Sequence, residues 1–158
     1  MRAAFLSLTI ILAAGAATAQ GRLSDASVRA FLTGQERLWN AGDVDAYFAT
    51  FTPDARFTDR GQSNQGGFVD YGTSSLSQAR TTSKRLLAGS KVRESSRIVR
   101  IELAADGRSA RVVTDETTRI ETAGKARVVC AESVHQLRVT PGGLRSAGQT
   151  DYIRRCRR

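Results

Sequence analysis

The chain has 158 residues and a formal charge of +9, from 24 basic and 15 acidic side chains. That length fills one ordinary domain with one core. The basic residues are scattered and only 6% of residues are aromatic, which argues against specific nucleic-acid binding by base stacking. A basic solvated surface, or weak attraction to an anionic membrane surface or wall polymer, accounts for the charge. Two cysteines and one histidine fall short of the ligand set of a structural zinc site, and no Cys-x-x-Cys pair occurs. The composition therefore implies no metal and no cofactor.

In chain order, "MRAAFLSLTIILAAGAATAQ" opens with the charge of Arg2, continues as an apolar run and ends in the small-x-small pattern of a cleavage site after Ala19. This predicts a secretory signal peptide over residues 1–20. The apolar run, about 15 residues, is shorter than the roughly 20 needed to span a bilayer. No later stretch is apolar enough to span. The expected mature protein is one domain, residues 21–158, secreted or periplasmic, with no membrane span after signal removal.

"GRLSDASVRAFLTGQERLWNAGD" predicts a helix capped by Ser24 or Asp25, with Val28, Phe31, Leu32, Leu38 and Trp39 at helical spacing. Gln35 falls on the same stripe, polar where an apolar residue is expected. Gly42 suits the left-handed stop. Asp43 caps a second, shorter helix, "VDAYFATF", which ends at "TPD" because the residue before Pro53 is disfavoured in the helical region. "ARFTD" reads as a short strand, and residues 60–75 as a glycine-rich loop. A third helix, "SLSQARTTSKRLLAG", has Leu76, Leu86 and Leu87 as anchors. From Lys91 the pattern changes to four long strands separated by "AADGR", "AGK" and "PGG", an antiparallel meander. The predicted class is α+β: a cone in which three N-terminal helices pack on a curved antiparallel sheet.

"RLWNAGDVDAYFATFTPDARFTDRG", residues 37–61, resembles the opening of the nuclear transport factor 2-like superfamily, in particular its SnoaL-like branch, with cystatin-like topology. With the meander, the resemblance covers roughly residues 22–156. It implies a pocket at the open end of the cone for a small apolar ligand, with Trp39, Tyr47, Phe51 and Phe57 lining or flooring it, unless these simply form the core. Some members are isomerases, cyclases or dehydratases that use an Asp–His or Asp–Tyr pair. Others are binding or dimerisation domains, often pairing through the outer face of the meander as homodimers.

In an exported domain, Cys130 and Cys156 are expected to form one disulfide. Placing them opposite each other makes paired residue numbers in the last hairpin sum to 286. Pro141 then pairs with Arg145 around a "GGL" loop, and His135 lies opposite Asp151. The bridge would stabilise the fold by roughly 3.5 kcal/mol on the chain-entropy account. A two-residue Ala123-Gly124 loop pairs 112 with 135 and 116 with 131, and the Asp106-Gly107 turn pairs 101 with 112. Glu116, Ser133, His135 and Asp151 then share one face with Val99, Ile101, Leu103 and Val112, and the cysteines take the other.

On that register His135 and Asp151 are candidate catalytic residues. Asp151 would orient the imidazole, and Glu116 or Tyr47 would serve as a second proton carrier. The same pair also reads as a cross-strand polar contact that satisfies itself. Trp39, Tyr47, Phe57, Glu116 and Ser133 are the candidate ligand-binding residues. Asp59, after the first strand, is a candidate for the pocket mouth. Three functions remain open: an envelope ligand-binding protein, an isomerase- or dehydratase-like enzyme, and a dimerisation module.

Overall fold

The computed structural model describes residues 21–156, and the predicted signal peptide, residues 1–20, lies outside the described residues. Helix α1 (Asp25–Asn40) starts at Ser24, whose side chain accepts from Ser27 N while the Ser27 hydroxyl accepts from Ser24 N. Gly42 takes φ 73° just after the helix, as expected. Helix α2 (Val44–Ala49) is capped by Asp43, and helix α3 (Leu76–Gly89) by Ser75 in a capping box with Gln78.

Six strands form one sheet in the order β2-β1-β6-β5-β4-β3: β1 (Phe51–Gln62), β2 (Phe68–Ser75), β3 (Lys91–Leu103), β4 (Ser109–Thr122), β5 (Lys125–Thr140) and β6 (Gly143–Arg154). All neighbours are antiparallel except β1 and β6, which run parallel. The short strand and loop expected over residues 55–75 are instead a long hairpin. Its second strand, β2, is an edge strand with Phe68, Val69 and Tyr71 exposed. No apolar alternation marks such a strand, because neither of its faces is buried. Pro53 falls where β1 breaks its pairing with β6, between Phe51 and Arg56, so its missing N–H costs no ladder bond.

The two inner hairpins follow the expected registers. Ile101 opposes Val112, Val112 opposes His135, and Glu116 opposes Ala131. The β3 strand departs in one detail: it bulges between Ile98 and Arg100. Val99 is thereby 50% exposed, and Leu103 near the hairpin end is 42% exposed, where both were expected inside.

The last hairpin is corrected. Thr140 pairs with Gly143 around a Pro141-Gly142 turn, a bulge follows between Gln136 and Leu137, and beyond it opposed numbers sum to 284. Arg145 therefore faces Arg138 rather than Pro141. His135 faces Gln149, Asp151 faces Ser133, and Cys130 faces Arg154. The disulfide forms nonetheless: Cys156 lies just past β6, and its Cα is 5.2 Å from that of Cys130.

Two apolar clusters hold helices to sheet. Val28 and Leu32 of α1 pack with Leu23, Ala110, Val112 and Leu137 at the narrow end. Val44 and Phe48 of α2 pack with Phe51 and Ala55 of β1, with Leu76, Ala79 and Leu87 of α3 alongside. Fully burying such side chains contributes about 1.5–3 kcal/mol each. Between the clusters the aliphatic filling stops, and there the site lies.

Candidate functional site

A cavity of about 280 Å³ lies between the helices and the inner face of the sheet. Its first wall is aromatic: Trp39 of α1, Tyr47 and Phe48 of α2, and Phe57 of β1. The Trp39 and Tyr47 rings are 5.2 Å apart and tilted by 49°. Tyr47 also meets Phe48 edge-on at 5.1 Å. Helix α3 closes another side with Ala79, Thr82 and Ser83.

The opposite wall is acidic. Asp59, Glu94, Glu116 and Asp151 all line it. The sheet register explains the grouping. Ser133 of β5 faces Asp151 of β6 on one side and Thr114 of β4 on the other, and Glu116 lies two residues along β4 from Thr114, on the same face. Asp59 lies directly beside Asp151 on the parallel neighbour β1. Glu94 is placed by Asn40, the last residue of α1. Asn40 Nδ2 donates to Glu94 O at 2.8 Å, and Glu94 N donates to Asn40 Oδ1 at 2.7 Å. The amide thus acts as one more strand partner for the edge of β3.

His135 and Ser133 lie behind this wall and do not line the cavity. His135 is 7% exposed and borders a pocket of about 20 Å³ with Gln35, Glu36, Tyr47, Glu94, Glu116 and Gln149. Its Nε2 is 3.1 Å from Glu116 Oε1 and 3.0 Å from Thr114 Oγ1. Thr114 Oγ1 also donates to Glu116 Oε1 at 2.9 Å. An ionised carboxylate only accepts, so His135 Nε2 carries the hydrogen and donates to Glu116. Ser133 is fully buried. Its hydroxyl completes no hydrogen bond of ordinary geometry among the described residues, yet lies close enough to Glu116 and Asp151 to favour their charged forms.

The four carboxyls are not equivalent. Burial, reinforced by the charges of Glu116 and Asp151, pushes Glu94 up to about 8. Burial and the charge of Glu116 push Asp151 up to about 6, against a hydrogen bond from Gln149 Nε2 at 2.7 Å. Burial also raises Asp59. Glu116 is desolvated as well, but the hydrogen bond and charge of His135, with help from Thr114 and Ser133, hold it below its usual value. Burial and then the charges of Glu94, Glu116 and Asp151 raise Tyr47 well above the usual phenol value.

Of the residues singled out in the sequence, the structure brings Trp39, Tyr47, Phe57, Glu116, Asp151 and Asp59 to one cavity. Phe51 goes to the core beneath it. The expected His135–Asp151 pair is replaced by His135–Glu116. Gln35, the polar residue on the apolar stripe of α1, is buried and donates to Thr50 Oγ1 at 2.6 Å. Glu94 was missed. A count back from Ile101 puts it on the outer face, and the bulge at Val99 reverses that parity.

No protein-family model matches the sequence, and no curated protein matches it. Solved structures do share its fold. A ketosteroid isomerase-like protein from Erwinia carotovora superposes with a TM-score of 0.63 at 13% identity, over 83% of this chain and 96% of that one. The beta subunit of a benzoate 1,2-dioxygenase from Burkholderia mallei gives 0.62 at 15% identity, over 85% and 93%. An NTF-2-like protein of unknown function from Shewanella oneidensis gives 0.58 at 16%, over 79% and 95%. The likeness is one of fold: this chain has the nuclear transport factor 2-like fold that residues 37–61 resemble.

Proposed function

We propose that this is an exported, envelope-located protein that binds a small molecule with an apolar body in the cavity between helices and sheet. One observation carries the reading: side chains leave about 280 Å³ open where a core would be filled, with an aromatic wall facing a polar one. That combination is the usual make-up of a small-ligand site. A thermal-shift panel of small aromatic and aliphatic metabolites tests it, using wild type and Ala79→Phe, which fills the cavity from α3. At least one ligand class should stabilise the wild type and not the variant. Equal responses throughout the panel would refute the reading. Export is checked by fractionating cells that express the full chain: the protein should appear outside the cytoplasm, with residues 1–20 removed.

A second reading is supported by the spread of proton affinities within the cavity. Asp151, raised to about 6, suits a general base near neutral pH, and Tyr47 and Glu94, both shifted upward, suit proton donors to a developing oxyanion. In this form an isomerase- or dehydratase-like enzyme would use Asp151 with Tyr47, and His135 would act only through Glu116. Turnover of a bound hit that survives His135→Gln but not Asp151→Asn would establish it. A third reading, a homodimer through the outer face of the sheet, rests on the exposed Val128, and light scattering on purified protein decides it.

A further inference from the structure

We infer that the ligand is a small organic cation: an ammonium group on an apolar, preferably aromatic, body. This inference rests on the cavity being a binding site, as proposed above, and adds the charge of what it binds. The first observation is a reversal of sign. The chain carries 24 basic side chains against 15 acidic, yet the cavity lining holds Asp59, Glu94, Glu116 and Asp151 and no lysine or arginine. Cationic side chains near the site are engaged elsewhere. On α3, Arg80 and Lys84 both turn outward to Asp45. Arg93, next to Glu94, donates to the backbone of Asn40. Arg60, next to Asp59, pairs with Asp70. Among the described residues only His135 meets one of the four carboxylates, and it reaches Glu116 from behind.

The second observation is the facing wall. Trp39 and Tyr47 present two tilted aromatic faces 5.2 Å apart, the kind of surface that attracts an ammonium through the ring quadrupole. The indole Nε1 of Trp39 is buried and has no hydrogen-bond partner among the described residues. A ligand bearing one acceptor on its apolar body would complete it. An anion would meet four carboxyls, and a neutral ligand would leave their desolvation unrelieved. A cation relieves it.

The titratable groups lining the cavity are acidic, and behind them lie one further acid, Glu36, and one base, His135, which is engaged by Glu116. Glu36 and Tyr47 come from α1 and α2, Asp59 from β1, Glu94 from β3, Glu116 from β4, His135 from β5 behind Glu116, and Asp151 from β6; α3 adds no charge. The unliganded protein holds protons on Glu94 up to about pH 8 and on Asp151 up to about pH 6. An ammonium group between them favours the ionised forms, so binding should expel protons and tighten as pH rises from 6 to 8.

The test uses three molecules that differ only in the headgroup: tyramine, its alcohol analogue tyrosol, and 3-(4-hydroxyphenyl)propanoate. Isothermal titration calorimetry at pH 6 and pH 8, in two buffers of different ionisation enthalpy, reads affinity and proton release together. Tyramine should bind at least tenfold more tightly than tyrosol at pH 8, with protons released to the buffer, and the propanoate should bind weakest. Glu94→Gln should erase most of the tenfold preference while tyrosol binding persists, which also shows that the variant is folded. Tyrosol or the propanoate binding as tightly as tyramine would overturn the cation inference and leave the binding site standing. No binding by any of the three would also overturn it, and the Ala79→Phe comparison then judges the site separately.

Discussion

The imidazole of His135 spends its polar edge on Glu116 Oε1, 3.1 Å away, and neither residue is more than 9% exposed. Removing the imidazole takes a hydrogen-bond donor from a buried carboxylate and leaves Glu116 less well satisfied, with Thr114 Oγ1 still donating to it. His135→Ala should therefore cost about 3 kcal/mol of stability, read by urea unfolding, and should raise the proton affinity of Glu116, read by carboxyl carbon NMR. Asn40 is the second residue with a disproportionate role. Its amide makes both hydrogen bonds of a strand partner with Glu94. Asn40→Ala should cost about 1–2 kcal/mol and weaken any ligand that depends on Glu94, while Asn40→Asp keeps the acceptor and loses the donor.

At the scale of elements, the join between β1 and β6 is tightly constrained. Gly148 has φ +154° and lies against the backbone of Arg56, where an added Cβ would come within 2.5 Å of Arg56 O. Gly148→Ala should destabilise by about 2–3 kcal/mol and open the parallel pairing, visible as faster amide exchange in residues 56–61. The disulfide anchors the far end of the same strand. Reduction, or the paired change to serine, should remove roughly 3.5 kcal/mol from the denaturant-derived unfolding free energy.

These same elements show what was legible beforehand. The first two helices announced themselves through Ser24 and Asp43 as caps, and the β4–β5 register followed from a turn of two residues at Ala123-Gly124. The last hairpin did not, because its register was set by placing Cys130 directly opposite Cys156, whereas the bridge joins Cys130 to a residue two beyond its strand partner Arg154. The resulting error was an even slip. It moved Asp151 by two positions, about 7 Å along the strand, yet kept it on the inner face. That is why Asp151 and Glu116 still reach the cavity although the partner assigned to Asp151 was wrong. An odd slip, as at Val99, inverts the face, and it hid Glu94.

For the whole molecule, the buried carboxyls set the pH response. Unfolded, Glu94 and Asp151 titrate near 4.5 and 3.8; folded, near 8 and 6. In between, the folded protein binds more protons than the unfolded one, so stability falls as pH rises from about 4 to about 8. Glu116 has the opposite sign: its contribution is present at neutral pH and fades as pH drops through its lowered folded value. Urea unfolding should therefore show greater stability at pH 5 than at pH 8, by on the order of 2 kcal/mol. Glu94→Gln should flatten most of that slope, and a slope of the opposite sign would contradict the assigned environments. A ligand cation should stabilise most at pH 8, where the unoccupied site is least stable.

The parallel pairing of β1 with β6 has a consequence for the order of events as the chain is made. β6 sits between β1 and β5, so the first strand synthesised and the last one become neighbours. A nascent chain that ends near Thr140 holds two sheet fragments, each with an open edge and neither able to close. Asp151, the Asp59–Asp151 neighbourhood and one cysteine of the bridge all arrive with the final segment. The cavity is therefore the last feature to exist, and long-range closure of this kind is slow. Until then the polypeptide is not yet a folded domain.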